Sequence, residues 1–152
     1  MFFRARRNGT IDLQLDFVVR DVIGRVCAEL RESLSADLDD PALRRLFPPA
    51  YLDDPDRERA YEQLVQDDLL TSRIRALDTV LATVEGDKIT AAEAEQWMHA
   101  LNAVRLTLGT QLDVSEDRDP NDIDEDDPLL PQILVYDLLS VVLSALLSVV
   151  PR

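Results

Sequence analysis

Two helix-start signals in the middle of this chain fix where its long helices begin. Asp54-Pro55 places an acidic capping residue directly before a proline, which is favoured at the first position of a helix. Thr90-x-x-Glu93 is a capping box, in which each side chain binds the backbone N–H of the other residue. These signals predict one long helix that reaches about Val84 and another helix after it.

Apolar residues at helical spacing predict further helices. From Asp16, a capping residue, to about Leu34 they recur every three or four positions, and Asp40-Pro41 begins a short helix of its own. Apolar faces of this kind pack on one another, so the sequence predicts a helical bundle. The predicted faces are Val19, Val22, Ile23, Val26 and Leu30 in the first helix, and Ala94, Trp97, Leu101, Val104 and Leu108 after the capping box.

The amino terminus alternates apolar and polar residues on both sides of Asn8-Gly9. This alternation is typical of strands, and Asn-Gly favours a type I′ turn because both residues tolerate a positive φ angle. A β-hairpin is therefore predicted within residues 1–15, and Lys88-Ile89 is a candidate for one more short strand beside it. Two strands alone are marginal in water, so the hairpin has to pack on the helices.

The closing segment, residues 129–150, carries Asp137 as its single charge. Its length admits a membrane span, but Asp137 and three serines at helical spacing form a polar stripe, and Pro131 shortens the usable helix. We expect a helix buried in the bundle, with a dimer or partner interface as the alternative and a membrane span as the least favoured. The interface residues predicted under that alternative are Leu138, Val142 and Leu146.

Residues 113–128 form an acidic stretch of nine carboxylates and one arginine. The run that begins at Asp117 has the opening spacing of an EF-hand calcium loop. Its sixth position, where glycine is needed, is Asp122, and its twelfth, where a bidentate glutamate is needed, is Pro128. The stretch is therefore interpreted as a solvated loop between two helices, with weak cation binding or docking of a basic partner as the alternatives.

The net charge and the few cysteine, histidine and glycine residues exclude several classes of function. The net charge of −14 would be repelled by phosphate backbones, so no nucleic-acid partner is expected. Cys27 is the single cysteine, so an intrachain disulfide is excluded and a cytoplasmic location is expected. Because it borders the apolar face of its helix, we interpret Cys27 as a small residue of the core. The single histidine, His99, has only Glu95 at ligand spacing, so no metal site is predicted. Widely separated glycines exclude a phosphate-binding loop, and no cofactor is expected.

One polar cluster remains as a candidate site. Asn102 and Arg105 lie three residues apart beside the apolar stripe of their helix, and the preceding long helix carries Asp67, Asp68 and Arg73. A partly buried arginine needs an acidic partner, because an unpaired buried charge costs several kcal/mol. The cluster is interpreted either as a structural ion pair between helices or as a site for an anion or other small ligand.

The run LNAVRLTLGTQL is also the part of the chain that resembles a known family most specifically. The chain is similar to the actinobacterial family known as domain of unknown function two thousand and seventeen. FRARRNGTIDLQLD, DPALRRLFPPAYLDDP, QDDL, EAEQWMHA, the acidic stretch and VYDLL support the resemblance along nearly the whole chain. It implies a small, mostly helical cytoplasmic protein without assigned catalytic residues. It also suggests, by gene association alone, a link to Clp-adaptor proteolysis or to cysteine and sulfur-carrier metabolism.

The sequence therefore predicts a mostly α single domain over residues 1–152, with about four main helices and a small amino-terminal β-hairpin. The helices occupy residues 16–112 and 129–150, with the acidic loop between them. The favoured function is a non-enzymatic protein-interaction or regulatory module in the cytoplasm, which a homodimer through the closing helix would suit. The alternative is a small-molecule or anion binder, or an enzyme, that uses the Arg/Asn/Asp cluster; no catalytic motif supports the enzyme.

Overall fold

The structure, a computed structural model, describes residues 2–36, 41–43, 46, 54–112 and 126–150, the side chains of residues 58 and 61–66 excepted. It is mostly helical, with a small antiparallel sheet, as the sequence predicts. The strands are β1 (Phe3–Ala5), β2 (Ile11–Leu13) and β3 (Lys88–Ile89). The helices are α1 (Phe17–Ala36), α2 (Pro55–Thr83), α3 (Ala91–Leu112) and α4 (Leu130–Val149), with a short 3-10 helix at Pro41–Leu43.

The predicted hairpin is present, and its turn differs from the predicted one. β1 pairs with β2 and β2 pairs with β3, so the sheet order is β1-β2-β3. The Arg6 N–H donates to Thr10 O at 2.8 Å, which leaves a three-residue loop in which Gly9 has a φ of +89°. A three-residue loop that ends in a left-handed residue replaces the type I′ turn. Asn8 Oδ1 stabilises it by accepting from the Thr10 N–H and hydroxyl at 3.1 and 2.7 Å.

The helix starts lie where the sequence signals predict them. Asp54 Oδ1 accepts the Arg57 N–H at 3.2 Å, and Asp16 does the same for the first turn of α1. In the capping box, the Thr90 N–H donates to Glu93 Oε1 at 2.9 Å and the Glu93 N–H donates to Thr90 Oγ1 at 3.1 Å. These contacts satisfy N–H groups that a helix start otherwise leaves unpaired. The capping prediction for Asp40 lies outside the described residues.

α3 is the central helix of the bundle. It packs against α1, α2, α4 and the short 3-10 helix. Trp97, which is fully buried, contacts the ring of Phe3 edge-on with centroids 6.1 Å apart, and this contact joins β1 to the bundle. Small side chains at Ala94, Ala100 and Ala103 are also buried, so neighbouring helices can approach α3 closely.

Arg20 joins the sheet to two helices. Its guanidinium donates to four backbone carbonyl oxygens, those of Leu13 and Leu15 at 3.2 and 2.9 Å and those of Val84 and Gly86 at 2.6 Å each. Val84 caps the carboxyl end of α2, where a positive charge is favourable to the helix dipole. A single side chain therefore fixes the orientation of α1, α2 and β2.

α4 lies on the surface of the bundle, and only one of its faces is buried. It packs against α3 and β1 through Leu139, Val142, Leu143 and Leu146. The sequence predicts that the closing helix is buried in the bundle. In the structure only one face of α4 is buried, because α3 and not α4 is the central helix. The acidic stretch lies outside the described residues from 113 to 125, and its last residues precede α4.

Candidate functional site

Among the described residues, one side-chain hydrogen bond joins two members of the predicted polar cluster. Arg105 Nη2 donates to Asn102 Oδ1 at 3.3 Å, so these two residues of α3 meet on one face as their spacing predicts. Asp67 and Asp68 are exposed on α2. Within the described part of the chain, no ion pair joins either carboxylate to Arg73 or Arg105. The structural ion pair between helices is therefore absent from the described residues.

Two arginines of the cluster carry an unsatisfied buried atom. The Nε atoms of Arg73 and Arg105 are both shielded from solvent, and neither has a hydrogen-bond partner among the described residues. A buried N–H without an acceptor costs about 1–3 kcal/mol, and more when the group is charged. Such atoms are where a bound acceptor would add most to stability.

A depression between α2 and α3 contains Arg73. Its volume is about 250 Å³, and its lining side chains are Leu69, Ser72, Arg73 and Arg75 from α2 and Gln96 and His99 from α3. All of these except Leu69 carry hydrogen-bond donors, and none of the described residues that line the depression is a carboxylate.

Sequence reasoning places Arg73 and Arg75 on the same long helix but does not connect His99 with them. His99 is exposed. A signal was available in the matching i, i+3 spacing of Ser72 with Arg75 and of Gln96 with His99. The pairing of the two helices, which brings these spacings together, could not be derived from either helix alone.

The outward face of α4 is a second candidate. Leu134, Val141 and Leu147 are 49%, 56% and 53% exposed. Of the three residues predicted for an interface, Val142 and Leu146 are buried in the core of the chain itself and Leu138 is partly buried. Any interface on α4 would therefore consist mainly of its other apolar residues.

The polar stripe of α4 also points outward. Ser144 and Ser148 are exposed, and Asp137 and Ser140 are partly exposed. The hydroxyls of Ser140 and Ser148 donate to backbone carbonyls of the preceding turn at 3.0 and 2.7 Å. By length and composition α4 could cross a membrane, a test that core helices of soluble proteins also pass.

Cys27 is not a reactive site in the folded chain. Its side chain is fully buried in the core, as the sequence predicts. Burial raises the pKa of the Cys27 thiol to about 12, because the low-polarity surroundings disfavour the thiolate. Since the thiolate is the nucleophile, this thiol is inert while the fold is intact.

Metal ligands do not gather in the described part of the chain. There, no group of three or more His, Cys, Asp or Glu side chains lies close enough to hold an ion. The alternative of weak cation binding by the acidic stretch concerns residues that lie mostly outside those described.

Comparison with known proteins assigns the chain to a family. The model of the family described as Domain of unknown function (DUF2017) matches residues 2–150. The chain belongs to this family. It is also 30% identical, over 119 residues, to the oxidative stress regulator AosR of Mycobacterium bovis and of two Mycobacterium tuberculosis strains. The match covers 67% of this chain and 54% of AosR, so the chain spans about half the length of these relatives. No solved structure matches it.

Proposed function

We propose that this DUF2017 chain is a cytoplasmic regulatory module that acts by binding another protein through the outward face of α4. This outward face consists of Leu134, Leu138 and Val141, which lie within about 60° of one another around the axis of α4. The observation that carries the proposal is that Leu134 and Val141, which lie two turns apart on the same side of α4, are each about half exposed. Exposed apolar residues gathered on one surface are typical of interaction sites.

The arrangement of α4 supports a protein partner. Its inner face is occupied by the core of the chain, so α4 is held in place while its outer face stays available. The polar stripe beside that face, from Asp137 to Ser148, supplies hydrogen-bonding groups of the kind that surround the apolar centre of a protein interface. A helix that inserted into lipid would have to expose both the stripe and its core-packed residues.

The relatives support a regulatory role. AosR is named an oxidative stress regulator, and regulators act by changing the activity of other molecules. The described residues offer no metal cluster, and Cys27 is buried, so protein binding is the activity that the surface of this chain supports best.

A pull-down from an extract of the native cells tests the proposal. The bait variant carries Leu134→Asp together with Val141→Asp, and its matched control carries Phe17→Asp together with Val18→Asp. Phe17 and Val18 are exposed apolar residues at the start of α1, so both variants exchange two exposed apolar side chains for two charges. We expect proteins retained by the wild type to be lost with the α4 variant and kept with the control.

Equal retention by the two variants would contradict the proposal, as would an α4 variant whose circular dichroism shows unfolding at a temperature where the control is folded. A second copy of the chain is one partner that the outward face would suit. Light scattering on the purified protein tests this form: the mass of a dimer that Val141→Asp reduces to that of a monomer supports it. If the wild-type protein is a monomer, the proposed partner must be a different protein and not a second copy of this chain.

A further inference from the structure

We propose that the depression between α2 and α3 binds a tetrahedral oxyanion, either free or as the phosphate group of a small metabolite. The site consists of Ser72, Arg73 and Arg75 on α2 and Gln96 and His99 on α3. It does not depend on the outward face of α4, and it would give the chain a ligand in addition to a protein partner.

The first support is the unsatisfied guanidinium of Arg73. Its Nε is buried and lacks an acceptor among the described residues, although the side chain lines an open depression. An oxyanion in the depression would be an acceptor for the guanidinium of Arg73, whose side chain lines it. Arginine binds such groups well because its planar N–H donors match the spacing of phosphate oxygens.

The second support is the charge of the lining. Arg73 and Arg75 carry positive charges there, and within the described residues neither forms an ion pair. Some other arginines of the chain do pair with carboxylates, as in Arg31 with Asp78 and Arg25 with Asp21. Carboxylates are abundant in a chain of net charge −14, yet none of the described residues that line this depression carries one.

The third support is the size and chemistry of the depression. At about 250 Å³ it is smaller than the typical range for drug-sized ligands, which begins at roughly 300 Å³. The hydroxyl of Ser72 and the amide of Gln96 add uncharged donors to the cationic ones. Leu69 provides one apolar wall. Donors from several directions around a small volume suit a compact anion.

Titration of the ¹⁵N-labelled protein with inorganic phosphate at constant ionic strength tests the proposal by NMR. We expect saturable shifts of the Arg73 Nε–H and the Gln96 side-chain amide, which sodium chloride does not reproduce. Arg75→Gln should weaken phosphate binding about tenfold or more, because it removes a charge-assisted hydrogen bond of about 1.5–3 kcal/mol. Arg75 is exposed, so this variant should fold normally.

Arg25→Gln is the matched control, because Arg25 is an exposed arginine on α1, away from the depression. Its phosphate affinity should equal that of the wild type. Shifts that are linear, that chloride reproduces, or that survive Arg75→Gln would overturn the proposal. A parallel titration with glycerol phosphate distinguishes the source: tighter binding than inorganic phosphate identifies a phosphorylated metabolite, and equal or weaker binding identifies the free ion.

Discussion

The indole N–H of Trp97 donates a 2.8 Å hydrogen bond to the hydroxyl oxygen of Thr83. Thr83 in turn donates to the Thr79 carbonyl at 2.7 Å, so one hydroxyl links the centre of α3 to the last turns of α2. Trp97 also contacts Phe3 of the sheet. The Thr83 hydroxyl therefore holds the residue around which α2, α3 and β1 assemble.

Thr83→Val should lower the free energy of unfolding by about 1–3 kcal/mol, because the shape is kept while the indole N–H loses its acceptor. Urea unfolding followed by tryptophan fluorescence measures the change. Thr110→Val is the control: among the described residues the Thr110 hydroxyl bonds the Leu106 carbonyl of its own helix alone, and its loss should have a much smaller effect. Equal effects of the two substitutions would refute the role given to Thr83.

Arg20→Lys should lower the free energy of unfolding by about 2 kcal/mol or more, since an ammonium cannot hold four carbonyl oxygens in the geometry of a guanidinium. Arg25→Lys, in the exposed pair with Asp21 on the same helix, should change it by about 0.5 kcal/mol or less. Thermal unfolding of the two variants side by side gives the comparison. If Arg20→Lys were as stable as Arg25→Lys, the Arg20 contacts would not hold the sheet to the helices.

The Cys27 thiol should resist iodoacetamide in mildly alkaline buffer and react once urea unfolds the chain. Mass spectrometry detects the alkylation. A variant with Cys27→Ala and Ser35→Cys provides the control, because Ser35 is exposed on the same helix and its replacement should react without urea. Rapid alkylation of native Cys27 would show that the thiol is accessible in the folded state.

Cys27 also gives the chain a definite response to alkaline pH. Its thiol keeps the proton in the folded state up to a pKa of about 12, whereas the ordinary value is 9.0. The folded state therefore binds more protons than the unfolded state between these values. The stability that the thiol contributes is complete below pH 9.0 and falls as the pH rises toward 12. Cys27→Ala should remove this part of the alkaline loss in a series of urea unfolding curves.

The same substitution at two neighbouring valines of α4 should change the stability of the protein by very different amounts. Val142 is fully buried, so Val142→Asp should cost about 3–5 kcal/mol through an unpaired buried charge. Val141 is 56% exposed, and Val141→Asp should leave the unfolding temperature nearly unchanged. Circular dichroism during heating distinguishes them, and similar melting of both variants would mean that α4 is not packed as described.

Local contacts account for what the sequence could predict. The capping box joins Thr90 to Glu93, and Asp54 caps Arg57, so both starts are encoded within four residues. The buried stripe of α3 follows from its spacing in the same way. The family resemblance, which the match over residues 2–150 confirms, rests on such segments as well.

Contacts between distant residues account for what it could not predict. Arg20 and Val84 are 64 positions apart, and nothing near either residue indicates their bond. The buried face of α4 depends on how this helix packs against α3 and β1. Because nearly all residues of α4 are apolar, its sequence alone does not show that Val142 is buried and Val141 exposed. The depression at Arg73 likewise exists only where α2 and α3 are paired.

The most direct test of the protein-binding role is photo-crosslinking in living cells, with a photo-reactive amino acid in place of Val141. Ala28, which is exposed on α1, provides the control position. We predict a protein adduct at position 141, absent at position 28 and lost when Leu134→Asp is added. Adducts with lipid alone, or protein adducts of equal yield at both positions, would contradict the assignment of the outward face of α4 as the binding surface.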